Sequence, residues 1–300
     1  MRNIAAPNAF DPLNLQTLPA SELARLDARF PARNVAVGGG AVVSVRECGK
    51  GPVVVCLHGI GSGAASWIDT AALLASQARF IAWDAPGYGE STPLDADAPA
   101  AADYAARLGA LLDALDIDSC VLAGHSLGAI VAASAARTDA GTSARTSARI
   151  GRLVLVSPAI GYGAPARAEA RAKVRAERLA TLDELGIAGM AAKRAGRLVS
   201  DKASEHARQW VRWNMARLND RGYRQAVELL CNADLLADLP PPMPVRVACG
   251  ALDAVTPPAA CEAVARQCGV PLELVDDAGH AGYVEQPQAV ATLLRESLAG

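Results

Sequence analysis

Three hundred residues, 51% of them apolar, are enough for one large domain or one domain carrying an insertion. The formal charge of −2, from 29 basic and 31 acidic side chains, offers no basic stripe for a nucleic acid. Met1–Pro19 lacks the continuous apolar stretch of a secretory signal and no run approaches a bilayer span, so a soluble cytoplasmic protein with no membrane partner is expected.

In chain order, residues 1–32 read as an N-terminal extension with a short helix at Ser21–Arg29. Asn34–Val37 and Ala41–Arg46 flank three glycines and predict a β-hairpin. Val53–Leu57 is a buried strand, Ser66–Gln77 a helix, Arg79–Trp83 a strand and Pro99–Leu115 a helix with leucines at helical spacing. Ser119–Ala123 has strand character, Ala129–Ala133 starts a helix, and Arg152–Val156 is another strand. Such alternation predicts a mostly parallel sheet covered on both faces, an α/β fold. Between helix and strand, Thr142-Ser143-Ala144-Arg145 repeats at once as Thr146-Ser147-Ala148-Arg149, which reads as a tandem duplication in an exposed loop.

The rhythm breaks after Ser157. Residues 160–240 hold no strand pattern and at least three helical stretches, which reads as a helical cap inserted into a core of residues 33–159 and 241–300. Strands resume at Val245–Cys249 and Pro271–Val275, with helices from Pro257 and near Pro287–Leu298. The seven cysteines form no CxxC pair. Cys56, Cys120 and Cys249 fall in apolar strands and are read as buried thiols, with neither a disulfide framework nor a metal site expected.

Gly124-His125-Ser126-Leu127-Gly128 sits between a strand and a helix. A serine on such a tight turn is held above the sheet edge with its hydroxyl exposed. A hydroxyl is a weak nucleophile without a base, and the base needs an orienting acid. Of four histidines, only His280 occupies a loop at the carboxyl edge of the sheet without another evident role. Asp253, at the end of strand Val245–Cys249, is the candidate acid; Asp84, Asp276 and Asp277 are weaker ones. An Asx-turn residue before a helix is the plainer reading of Asp253. The order Ser126, Asp253, His280 suits a serine hydrolase. Leu127 N–H and Ile60 N–H, in the glycine-rich loop after Val53–Leu57, are expected to form the oxyanion hole.

His58-Gly59-Ile60-Gly61, Asp84-Ala85-Pro86-Gly87-Tyr88-Gly89, the Ser126 turn, Gly250…Asp253…Pro257 and Gly279-His280…Pro287 together resemble the α/β-hydrolase superfamily over roughly residues 34–300. The resemblance implies an eight-stranded sheet, a helical cap after strand six and cofactor-free hydrolysis of a small molecule. Gly61-Ser62-Gly63-Ala64 with Trp67 is similar to the C–C bond hydrolases of meta-cleavage products. His125, Leu127 and Ala281 differ from the Asn, Met and Trp of that branch, and the turn looks more like the enol-lactonase and esterase branch.

In the cap, Arg167, Arg171, Arg175 and Arg178 recur at helical spacing, while Glu169, Lys173 and Glu177 make another face. A solvated surface accounts for the stripe; an arginine reaching a substrate carboxylate is the sharper reading. Trp210 and Trp213 lie on one side of a doubly apolar helix and are expected, with His125 and Ala281, to line the substrate pocket. The leading expectation is a serine hydrolase of a small carboxylic ester or lactone. C–C hydrolysis of a ring-fission product is one alternative, and a slow-turnover ligand receptor on the same fold is another. Monomer and homodimer are both left open.

Overall fold

Strands β3 (Val53–Leu57) and β5 (Cys120–His125) are apolar runs without alternation, the pattern of strands buried on both faces. The computed structural model, which describes residues 18–141 and 149–299, places them side by side in an eight-stranded sheet of order β1-β2-β4-β3-β5-β6-β7-β8. The remaining strands are β1 (Ala32–Ala36), β2 (Val42–Cys48), β4 (Arg79–Trp83), β6 (Ile150–Val156), β7 (Val245–Gly250) and β8 (Leu272–Val275). β1 and β2 pair antiparallel and β2 meets β4 antiparallel; every pairing from β4 across to β8 is parallel. The strand order reverses at β3, with β4 on one side and β5 on the other, so the loops after β3 and β5 open side by side. Ligands of open α/β sheets bind at such a reversal.

Helices α1 (Ala20–Arg29), α2 (Ile68–Leu74), α3 (Ala101–Ala114), α4 (Leu127–Gly141), α8 (Pro258–Cys268), α9 (Gly282–Glu285) and α10 (Pro287–Leu298) belong to the sheet-bearing part. α4 is buried on all sides from Leu127 to Ala136, as its small apolar residues allow. The helix expected at Ser66–Gln77 is shorter: a 3₁₀ turn at Ala64–Trp67 leads into α2. α1 is packed onto the core. Leu26 and Phe30 are buried, and the Phe30 ring meets Phe80 edge-on at 5.9 Å. The repeat expected as an exposed loop lies outside the described residues up to Ala148. Its last residue, Arg149, is buried and donates to Asp113 at 2.8 Å.

The stretch expected as a cap contains α5 (Ala168–Arg194), α6 (Glu205–Met215) and α7 (Asp220–Asn232). α5 is two helices joined at Gly186, whose φ of 61° interrupts the helical backbone. Polar contacts tie these helices to the sheet-side loops. Gln225 Nε2 donates to Leu94 O and Ala96 O, both at 2.7 Å, and Glu285 Oε2 accepts from Ser200 N at 2.9 Å and Ser200 Oγ at 2.7 Å. Among the described residues, no helix is long and apolar enough to cross a membrane.

Candidate active site

Ser126 is the single residue between β5 and α4, and its φ is 54°. A side chain at positive φ is strained, and the strain is held by close packing on both sides. A Cβ at Gly124 would lie 2.4 Å from Gly128 O, and one at Gly128 would lie 2.5 Å from Leu57 O. Only glycine lets the helix start so near the end of β3. Ser126 N donates to Val156 O at 3.0 Å and Ser126 O accepts from Ala129 N at 3.0 Å, so the turn is pinned from β6 and from α4.

The β7 and β8 loops bring Asp253 and His280 together. His280 Nδ1 is 2.9 Å from Asp253 Oδ2. Oδ1 accepts from Val255 N at 2.7 Å and Thr256 N at 2.9 Å. The Asx turn and the histidine partner are therefore both real, one on each carboxylate oxygen. Burial alone would raise the Asp253 carboxyl. The His280 hydrogen bond and charge, with the two amides, outweigh it and lower the pKa to about 2. The carboxylate is thus ionised and only accepts, which places the proton of His280 on Nδ1. Thr256 Oγ1, which sequence reasoning passed over, stands 2.9 Å from Oδ2 and 3.1 Å from His280 Nδ1. Its position three residues after Asp253, just before Pro257, is the signal that could have found it.

His125 is buried beside this pair. Its ring centroid is 4.7 Å from those of His280 and Tyr283. Its Nε2 lies 2.8 Å from His280 O, and a carbonyl only accepts, so Nε2 carries the proton. Nδ1 is buried with no partner among the described residues. Burial, with the nearby His280, lowers the His125 pKa to about 3, so the ring is neutral.

In the loop after β3, Gly59 O accepts from Ser62 N at 3.1 Å and Tyr88 OH donates to Ile60 O at 2.9 Å. That orients the Ile60 peptide. Among the described residues, neither Ile60 N–H nor Leu127 N–H is engaged in a hydrogen bond. His58 holds the loop together, since its Nδ1 is 2.8 Å from Gly59 O and its Nε2 accepts from Ala85 N at 3.0 Å. Asp84 is likewise structural, accepting from Ala64 N at 2.8 Å and Ser44 Oγ at 3.0 Å.

These groups open into a cavity of about 460 Å³. Ser126, His280, Ile60, Leu127, His125 and Ala281 all line it. Trp210 and Trp213 do not, which corrects the sequence expectation. Trp210 is buried under the Arg25 guanidinium at 5.7 Å, and Trp213 lies under Arg217 at 4.5 Å. α6 instead turns Val211 and Met215 to the cavity. Both stripes of α6 are apolar, and only the tertiary surroundings decide which of them is taken up by packing. Of the arginine stripe, Arg167 and Arg178 reach the cavity wall, while Arg175 is bound to Glu228 at 2.7 Å.

The model of the Alpha/beta hydrolase family matches residues 54–293. A thermophilic esterase from Thermogutta terrifontis superposes with a TM-score of 0.75 at 24% identity, covering 89% of this chain and 98% of the other. The enol-lactonase from Burkholderia xenovorans LB400 superposes with a TM-score of 0.72 at 22% identity, covering 89% and 100%. By sequence, the 2-hydroxy-6-oxononadienedioate/2-hydroxy-6-oxononatrienedioate hydrolase 1 of Dechloromonas aromatica is 31% identical over 120 residues, 38% of this chain and 39% of that protein. An uncharacterised protein of Mycobacterium bovis is 38% identical over 112 residues, and the match spans 30% of its length.

Proposed function

The chain belongs to the alpha/beta hydrolase family, and from that premise we propose that it is a serine hydrolase cutting a small carboxylic ester or lactone through an acyl-enzyme. The observation that carries the reading is Ser126 at positive φ in the cavity wall it shares with His280, whose Nδ1 is tied to Asp253. With Nδ1 so held, Nε2 takes the Ser126 proton as Oγ bonds to the substrate carbonyl carbon. The carbonyl oxygen becomes an oxyanion, and Ile60 and Leu127 N–H donate to it. His280 returns the proton to the leaving oxygen as the C–O bond breaks. Water then gives a proton to His280 and attacks the acyl carbon, and Ser126 leaves with that proton. Asp253 fixes the imidazole tautomer and stabilises the imidazolium.

A serine-directed fluorophosphonate tests the nucleophile. Wild type should be labelled and Ser126→Ala should not; labelling that persists in the variant removes Ser126 from the mechanism. A panel of p-nitrophenyl esters, enol lactones and dienones tests the bond. A second reading, hydrolysis of a C–C bond in a ring-fission product, draws on the oxononadienedioate hydrolase relative, and turnover of dienones alone would establish it in place of the first. Turnover far below about 1 s⁻¹ on every compound, slower than typical enzymes, would point to a ligand receptor.

A further inference from the structure

The cap wall of the cavity is charged in an unbalanced way. Arg167, Arg178, Arg194 and Arg197 line it, and Glu177 is the one carboxylate among the lining residues. Elsewhere in the cap, Arg175 holds Glu228 at 2.7 Å, Arg212 holds Glu205 at 3.3 Å and Arg224 holds Asp220 at 2.7 Å, while Arg208 and Arg221 donate to backbone carbonyls. The arginines facing the cavity hold no carboxylate among the described residues. Arg178 Nη1 donates to Tyr223 OH at 3.1 Å, a neutral partner that also faces the cavity. Arg167 donates to Gly161 O at 2.5 Å and lies over the Tyr162 ring. Arg194 and Arg197 have no hydrogen-bond or ion-pair partner among the described residues.

A guanidinium does not give up its proton in a protein, so this charge stays. The Arg194 pKa is pulled down by burial first and by Arg178 and Arg197, with Tyr223 and Glu177 acting in the opposite direction. Three like charges share this wall with one carboxylate, Glu177, so the wall keeps a net positive charge. An anion placed among them would relieve the repulsion and take up idle donors. The planar fork of each guanidinium matches a carboxylate with two parallel hydrogen bonds. Ser126 and His280 stand in the sheet-side wall of the same cavity.

We propose that Arg178, Arg194 and Arg197 form an anion subsite, and that the substrate is an ester or lactone bearing a free carboxylate remote from the bond that is cut. The proposal rests on the reading of Ser126 as the nucleophile of an ester or lactone hydrolase. The subsite would hold the acyl chain by its charged end and set its carbonyl against Ser126.

The test compares monophenyl adipate with phenyl hexanoate, which share chain length and leaving group and differ in the terminal carboxylate. Phenol release should show wild-type kcat/KM at least about tenfold higher for the adipate ester, the size of one charge-assisted hydrogen bond. Arg194→Gln and Arg178→Gln should each lower that ratio by about tenfold or more, chiefly through KM, and Arg194→Lys should restore part of it. A wild type that prefers the hexanoate ester, or variants that lose both esters equally, would overturn the subsite. Calorimetry with adipate on the Ser126→Ala protein separates the two readings. If neither ester is cut, the ester-hydrolase reading has failed. Adipate binding that Arg194→Gln removes then upholds the subsite alone, and no adipate binding rejects it as well.

Discussion

On the sheet side of the cavity, both oxygens of Asp253 are used, one by two backbone amides and the other by His280. On the cap side, Arg194 and Arg197 hold no partner among the described residues. The strand-end loops are over-determined. Neighbouring strands place them, glycines with no space for a methyl group lock the Ser126 turn, and hydrogen bonds fix Asp253, His125, His58 and Asp84. The helical segment between β6 and β7 is also tied down by polar contacts, but it turns Arg194 and Arg197 to the cavity without a carboxylate bound to either among the described residues. Groups that move protons within a tenth of a nanometre need a rigid frame. A wall that reads the far end of a substrate can leave its donors idle until the substrate arrives.

The sharpest way to break this comparison is to remove the sheet-side chemistry without touching the cap. Asp253→Asn keeps the shape but lets His280 adopt the wrong tautomer, and kcat should drop by about 10⁴. Substrate KM should change little, because the cap wall is intact. A kcat within tenfold of wild type in steady-state kinetics would show that Asp253 is only the Asx-turn residue.

The next effect separates the two faces of α6. Trp210→Ala should lose about 3–5 kcal/mol in denaturant unfolding, since the buried ring spans the contact between α6 and α1. Met215→Ala, on the cavity face, should shift KM more than any other kinetic constant. If Trp210→Ala alters KM at unchanged stability, the face assignment is reversed.

A smaller effect is a pH dependence rooted in His125. A histidine kept neutral by folding is protonated first in the unfolded chain. Stability is therefore complete above the ordinary value of 6.5 and falls as pH drops towards the folded value of about 3. The slope is about 1.4 kcal/mol per pH unit for one such group. His58, also held down by burial, adds in the same direction. His125→Asn should flatten the loss of stability between about pH 6 and pH 4 by up to that slope. Equal slopes for variant and wild type in denaturant titrations would rule His125 out as the source.

Much of this was legible in the sequence. Val53–Leu57 and Arg79–Trp83 have the limits expected, because a short apolar run bounded by turn residues has little choice of register or length. Ser126 and His280 line one cavity, with Asp253 bonded to His280, as their places at the carboxyl ends of strands led one to expect. The roles of Tyr88 and Glu285 were not legible. Each acts by a hydrogen bond across the fold, to Ile60 and to Ser200, and a polar side chain carries no mark of a partner so distant in sequence. The aromatic pair of α6 was placed on the wrong wall for a related reason: apolar character marks burial, and substrate and protein bury a side chain alike.

By itself the sequence determined the α/β alternation, the interruption by a helical segment and the turn chemistry at Ser126. These depend on local periodicity and on glycines that tolerate no substitute. The tertiary structure decided which apolar face of α6 meets the cavity, which arginines of the cap are neutralised and which are left facing inward, and that His125 is neutral. Those outcomes depend on what stands opposite each side chain in space. Burial energy and ion pairing are properties of both partners together, and one strand of sequence names only one of them.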